Sequence, residues 1–331
     1  MILHPTVMAD LLSAYVASFM LIYAASFGVQ ILRFWNIQSG SELQLVLERK
    51  TYLISTMLSF VFGLQLLSLF LFVFTADSLR ILFVGAMCAA GTLNVNGFGY
   101  PTLVLKIVNF IAAGFWLVLN YADNKGYDYP LIKYKYRFLI LITPSIVIET
   151  LLESAFFFSM KPDVITSCCG SLFSSERKQG LGSELASLPE LPALWTFYIV
   201  FAVTLTSGLF FFYKKSGGYL FAVLNLAMFL VSLIAIISVI SIYIYELPTH
   251  HCPFCIIMQD YGYIGYLLYL LLLGGGVAGS SIGILLPFRH IASLKTELNG
   301  FLRSLALISM GLYSGFTAVV TYRIIMSNLI I

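Results

Sequence analysis

Long, uninterrupted apolar runs separated by short polar stretches organise this chain. They fall at roughly residues 8–32, 52–75, 79–96, 101–121, 137–159, 194–213, 217–245, 259–287 and 304–326. A helix needs about 20 mostly apolar residues to cross a hydrocarbon core about 30 Å thick. The runs are continuous rather than alternating, and too long for barrel strands of about ten residues, so the pattern predicts helices. The third run is the weakest. It ends in Gly91-Thr-Leu-Asn-Val-Asn-Gly-Phe-Gly99, followed by Tyr100-Pro101, and predicts either a short span or a re-entrant hairpin. The expected fold is an all-α, polytopic transmembrane helical bundle of about nine spans, or eight if residues 79–96 are re-entrant. Residues 1–160 would hold about five amino-terminal helices, 161–193 a polar extracytoplasmic loop, and 194–331 a carboxyl-terminal four-helix unit.

Composition agrees. Of 331 residues, 60% are hydrophobic, 15% aromatic and only 10% charged, with a net charge of +3. A soluble domain carries about 25% charged residues. The mean hydropathy of +0.95 leaves more apolar surface than a soluble globule can hide, so the expected surroundings are a lipid bilayer. A soluble enzyme, a disordered protein, a secreted disulfide scaffold and a nucleic-acid binder are excluded. No Lys or Arg precedes the first run, which is too long for a signal peptide core, so the first helix is expected to stay in the membrane.

Lys and Arg in short loops mark the cytoplasmic side. Lys125, Lys133 and Lys135 in the loop 122–136, Lys214 and Lys215, and Arg289, Lys295 and Arg303 fall on one side if helices five to nine alternate. The segments 160–193 and 246–258 then face outward, in a prokaryotic inner membrane. Arg33, Arg49 and Lys50 also favour the cytoplasm, but nine alternating spans would put their loop outside; a re-entrant third segment removes that conflict.

Four of the five cysteines lie in the two outward segments. Cys168 and Cys169 are adjacent, and Cys252 and Cys255 form Cys-Pro-Phe-Cys after His250 and His251. Cys88, alone in the third run, reads as a small buried hydrophobe. The Cys-Pro-Phe-Cys element is expected to open the following helix, with Cys252 at the N-cap and Pro253 in the first helical position. The free N–H groups of that turn would favour the Cys252 thiolate, and His250 and His251 would add to this when protonated. A reactive thiolate with a second cysteine one turn away is what disulfide exchange requires: one attacks, the other resolves. An adjacent pair closes a strained ring, so Cys168 and Cys169 are better placed to exchange with Cys252, Cys255 or a soluble extracytoplasmic thiol protein.

This arrangement resembles the DsbB and vitamin K epoxide reductase families, quinone-linked membrane thiol oxidoreductases built on four-helix bundles. The resemblance covers the motif and residues 194–331. It implies a quinone as electron acceptor, near Gln259, Tyr263 and Tyr266. The sequence departs from the DsbB pattern in having Gln259 where an Arg follows the second cysteine by four, and in its adjacent Cys-Cys pair.

The same cysteines with His250 and His251 could instead hold Cu or Zn, as a metal-binding permease or metal-insertion factor. A third expectation is a non-catalytic membrane subunit with a structural disulfide. Inside the predicted spans, Lys106, Glu149 and Glu153 are costly charges. Glu149 and Glu153 share a helix face, and Lys106 is expected to pair with Glu153, as a packing pair or on a proton or cation route.

Overall fold

The computed structural model describes residues 3–161, 164–166 and 181–329. In lipid every backbone polar group must be satisfied internally, which selects helices. Among the described residues there is no strand, and eight helices are long and apolar enough to cross a membrane. The protein is an all-α bundle of the integral membrane class.

In chain order the helices are α1 (Pro5–Phe34), α2 (Glu42–Ser78), α3 (Ala89–Leu93), α4 (Gly99–Asp123), α5 (Ile132–Phe158), α6 (Leu181–Ala186), α7 (Glu190–Lys214), α8 (Gly218–Ala235), α9 (Ser241–Tyr245), α10 (Ile264–Leu285) and α11 (Lys295–Met326). α8 runs through a π-helical segment, Ile236–Ile240, into α9, and the three form one span. Pro5 starts α1, where a missing N–H costs nothing. Lys215 and Gly217, both in the left-handed region (φ 57° and 79°), make the tight α7–α8 turn.

The eight-span alternative holds, and residues 79–96 do not cross as a helix. A 3-10 turn, Leu79–Leu82, ends α2, a tight turn closed by the Ala86 N–H on the Phe83 carbonyl (3.3 Å) follows, and after it only α3 is helical. Gly85 (φ 90°) turns the chain, and Thr166 docks against it, donating its N–H to the Val84 carbonyl (3.0 Å) and its hydroxyl to the Gly91 carbonyl (2.7 Å). The run is apolar because it is packed within protein: Cys88, Ala89, Ala90 and Leu93 are fully buried.

The chain divides into two compact units. The first contains Met1–Thr75, Asn96–Lys161 and Phe288–Phe301; the second contains Ala76–Val95, Pro162–Pro287 and Leu302–Ile331. The sequence-based division at 160 therefore misplaces the third run, which belongs with the carboxyl-terminal helices. In the first unit, Phe27 and Ile31 of α1, Leu58 and Phe62 of α2, Trp116 of α4 and Tyr136 of α5 share one core. Lys135 is not a loop cation: it is buried in α5 and paired with Asp123 (2.7 Å), also donating to Asn120 (3.0 Å).

In the second unit α8, α10 and α11 meet around Asn225, and α7 packs on α8, where Thr204 donates to the Leu224 carbonyl (3.2 Å). The Asn225 amide donates to Ser309 Oγ (2.6 Å) and the Gly275 carbonyl (3.3 Å), and Tyr313 donates to its carbonyl (3.0 Å). Close approach depends on glycine, because a Cβ at Gly279 would lie 2.0 Å from Asn225 Nδ2. The small residues Gly274, Gly275, Gly276 and Gly279 therefore mark a helix contact.

Candidate functional site: a three-thiol cluster

The second unit gathers three cysteines from sequence-distant segments. Cys88 precedes α3, while Cys252 and Cys255 lie between α9 and α10. All three are buried thiols. Their sulfurs lie within 4.8 Å of one another, and Cys88 Sγ is 3.6 Å from Cys252 Sγ. Cys88 is thus a member of the site rather than a packing residue.

The Cys-Pro-Phe-Cys element does not open α10, which corrects the N-cap expectation. Cys255–Ile257 and Gln259–Tyr261 are 3-10 turns, and α10 starts only at Ile264, after Gly262 and Tyr263 in the left-handed region. The physical reason is burial. Ile256 and Ile257 are packed inward against Gly265, where a Cβ would approach Ile257 Cγ2 to 2.6 Å. The chain must dip into the protein before the helix can begin.

Tyrosines hold the loop instead. Tyr245 at the end of α9 donates to the Cys252 carbonyl, and Tyr269 in α10 donates to the Pro253 carbonyl (2.7 Å). Each hydroxyl ties the loop to a flanking helix and satisfies a carbonyl that lies outside any helix. Sequence reasoning missed both. Tyr269 lies one turn beyond Tyr266, the available signal.

Neither histidine joins the sulfurs in the cluster, which corrects the mixed Cys/His ligand set. His251 is buried, with Nδ1 3.1 Å from the Ile237 carbonyl in the π-helical segment. A π-turn displaces carbonyls from the regular i to i+4 ladder, and such segments concentrate at functional sites. His250 packs edge-on against Tyr245, centroids 4.6 Å apart. Gln259 and Tyr263 are exposed and Tyr266 is half-buried, its ring 6.3 Å from that of Tyr263. Cys168 and Cys169 lie outside the described residues.

In the first unit Lys106 meets both glutamates, at 3.1 Å from Glu149 Oε1 and 3.1 Å from Glu153 Oε2. Glu149 also accepts from Gln65 (2.9 Å to each oxygen) and Asn109 (2.6 Å), and Lys106 donates to Ser68 (3.1 Å).

No protein-family model matches this chain, and no curated protein or solved structure matches it. The chemistry of the site is therefore argued from its residues.

Proposed function

We propose that the protein is a membrane thiol–disulfide oxidoreductase working at the extracytoplasmic face, with Cys252 and Cys255 as the cycling pair and Cys88 as a third exchanging thiol. The observation that carries this reading is the 3.6 Å between Cys88 Sγ and Cys252 Sγ. With Cys252–Cys255 oxidised, attack of the Cys88 thiolate on Cys252 forms a Cys88–Cys252 bond and releases Cys255 as thiolate. Overall, the disulfide takes two electrons and two protons from a partner dithiol, which becomes a disulfide. The resulting pair is reoxidised as a quinone becomes a quinol. His250 and His251 orient the loop beside the thiols. The buried sulfurs need an intermediary to meet a soluble protein, and Cys168 and Cys169 supply it. Thr166, two residues before Cys168, is bonded to the segment that carries Cys88. Gln259, Tyr263 and Tyr266 offer aromatic and amide groups for a quinone head. The second unit also has an apolar hollow of about 230 Å³ lined by residues including Leu188, Pro192, Val231 and Ile234, suited by chemistry to an isoprenoid chain.

Sidedness supports the same reading. Eight alternating spans put the connections 35–41, 124–131, 215–217 and 291–294 on one side, and the Lys and Arg at their edges favour the cytoplasm. All three cysteine-bearing connections then face outward, on the oxidising side of a prokaryotic inner membrane.

A soft-metal site is the second reading, favoured by three sulfurs within 4.8 Å. Zn prefers four ligands, and no fourth Cys, His, Asp or Glu donor joins the group among the described residues. A thiolate-only set suits Cu(I).

Acid-quenched thiol trapping on membranes, with elemental analysis of the purified protein, separates the two. The redox reading expects a Cys252–Cys255 disulfide whose fraction shifts with added quinone, and an accumulating Cys88–Cys252 disulfide in Cys255→Ser. Thiols that stay reduced under all conditions, with stoichiometric copper, would replace it with the metal reading.

A further inference from the structure

The first unit holds a second site, separate from the thiols. We propose that Asp10 and Glu153 together bind an exchangeable proton within the membrane, making the amino-terminal unit proton-responsive.

Asp10 on α1, Glu149 and Glu153 on α5 and Lys106 on α4 interact as one electrostatic group. All four are buried, with relative exposures of 0%, 1%, 0% and 1% respectively. Three carboxylates against one ammonium would leave two uncompensated negative charges in a low-dielectric interior, which is prohibitively costly; one bound proton reduces that excess to a single charge, which the Gln65 and Asn109 amides help to spread. Gln65 and Ser68 of α2, Asn109 of α4 and Ser145 of α5 complete the polar surroundings and carry no charge.

Hydrogen bonding shows where a bound proton belongs. Glu149 is saturated as an anion: it accepts from Gln65, Asn109 and Lys106. The Asp10 carboxyl is different: both its oxygens are buried without a hydrogen-bond donor. Glu153 lies within ion-pair distance of Lys106, but neither of its oxygens has a well-aligned donor. Asp10 and Glu153 are neighbours, so two buried acceptors face each other with no donor between them. Two acid groups in that position share a proton, as paired carboxyls do when like charges cannot both persist. Lys135 and Asp123 provide the contrast in the same unit. That pair is one-to-one, with Asn120 and the Leu131 N–H taking up the remaining bonds, and needs nothing more.

Position makes exchange feasible. Asp10 is five residues into α1, Glu153 five residues from the end of α5 and Lys106 seven residues into α4, so at 1.5 Å per residue the group lies about 8–10 Å from one end of each helix. Ionisable groups at such depth commonly mark ion or proton routes.

The test is infrared difference spectroscopy of the full-length protein reconstituted in lipid, in H2O and D2O. The expected result is a protonated carboxylic acid carbonyl band at neutral pH that shifts in D2O and is lost in Asp10→Asn, whose amide supplies Glu153 with a donor. Asp10→Glu, which keeps a titratable carboxyl, retains the band at a displaced frequency. Absence of an exchangeable band from the unsubstituted protein overturns the proposal, as does a band unmoved by both Asp10→Asn and Glu153→Gln. Thermal stabilisation by sodium over choline at equal ionic strength, present in the unsubstituted protein and absent from Asp10→Asn, would also overturn it, assigning the site to a metal cation.

Discussion

At Gly279 one added methyl group would enter the Asn225 node: its Cβ would lie 2.0 Å from Asn225 Nδ2 and 2.7 Å from Ser309 Oγ. At Gly274, five residues earlier on the same helix, the nearest atom is the flexible Leu312 Cδ1 at 3.1 Å. Gly279→Ala must displace a buried amide from its partners, combining overpacking with lost hydrogen bonds, for a cost of about 2–4 kcal/mol. Gly274→Ala needs only a leucine to shift and should cost less than about 1 kcal/mol. Thermal unfolding of the two variants in one detergent checks this; equal losses would show that the node does not hold the three helices together. Single residues govern the thiol loop in the same way. The Tyr245 and Tyr269 hydroxyls fix consecutive carbonyls, those of Cys252 and Pro253, so the sulfur positions depend on residues outside the motif. The cysteine spacing made Cys252 and Cys255 legible in the sequence. Cys88 was not, because its contact spans 164 positions and an isolated cysteine in an apolar run looks like any buried small side chain. Asp10 was readable in principle, as a carboxylate within the first apolar run, but its significance depends on three other charges brought together by folding.

At the level of elements, the π-helical segment Ile236–Ile240 connects the Asn225 node to the thiol loop. It presents the Ile237 carbonyl to His251. Removing Val239 should restore the regular α ladder, leave the residues after it near their present directions because the π turn absorbs one extra residue, and take the Ile237 carbonyl back into the ladder and away from His251. The expected variant inserts normally, since the Asn225 node lies upstream, but loses the Cys88–Cys252 disulfide trapped in Cys255→Ser and exposes Cys252 to alkylation. Unchanged cross-linking would mean that the π segment does not position the loop. No hydropathy pattern announces such a segment, because it alters the hydrogen-bond ladder and leaves composition untouched. The eight long helices were legible because lipid demands continuous apolar sequence. Residues 79–96 meet the same demand for a different reason, burial in protein, and hydropathy does not distinguish the two environments. The cue that did was local: Asn94, Asn96 and Gly97 are poor helix formers, and helix α3 stops at Leu93 just before them.

Across the whole molecule, two units each enclose a polar centre in an apolar shell: a thiol cluster in one and an overacidic carboxyl group in the other. The number of spans decides whether the first can be an extracytoplasmic redox site. Eight spans put Gln38 and Ser216, both exposed in short connections, on one side, and Ser187 and Thr249, also exposed, on the other. A ninth crossing at 79–96 would separate Gln38 from Ser216. Positive charge favours the first arrangement, because Arg33, Lys214 and Lys215 then share the cytoplasmic side. The check is single-cysteine labelling in a background lacking the five native cysteines, with a membrane-impermeant maleimide. In right-side-out vesicles, Ser187→Cys and Thr249→Cys should react and Gln38→Cys and Ser216→Cys should not; inverted vesicles should reverse the result. Opposite labelling of Gln38→Cys and Ser216→Cys would restore the ninth span. Labelling of Thr249→Cys only from the cytoplasmic side would place the thiols in a reducing compartment, where a metal-binding role for the three sulfurs is the stronger reading.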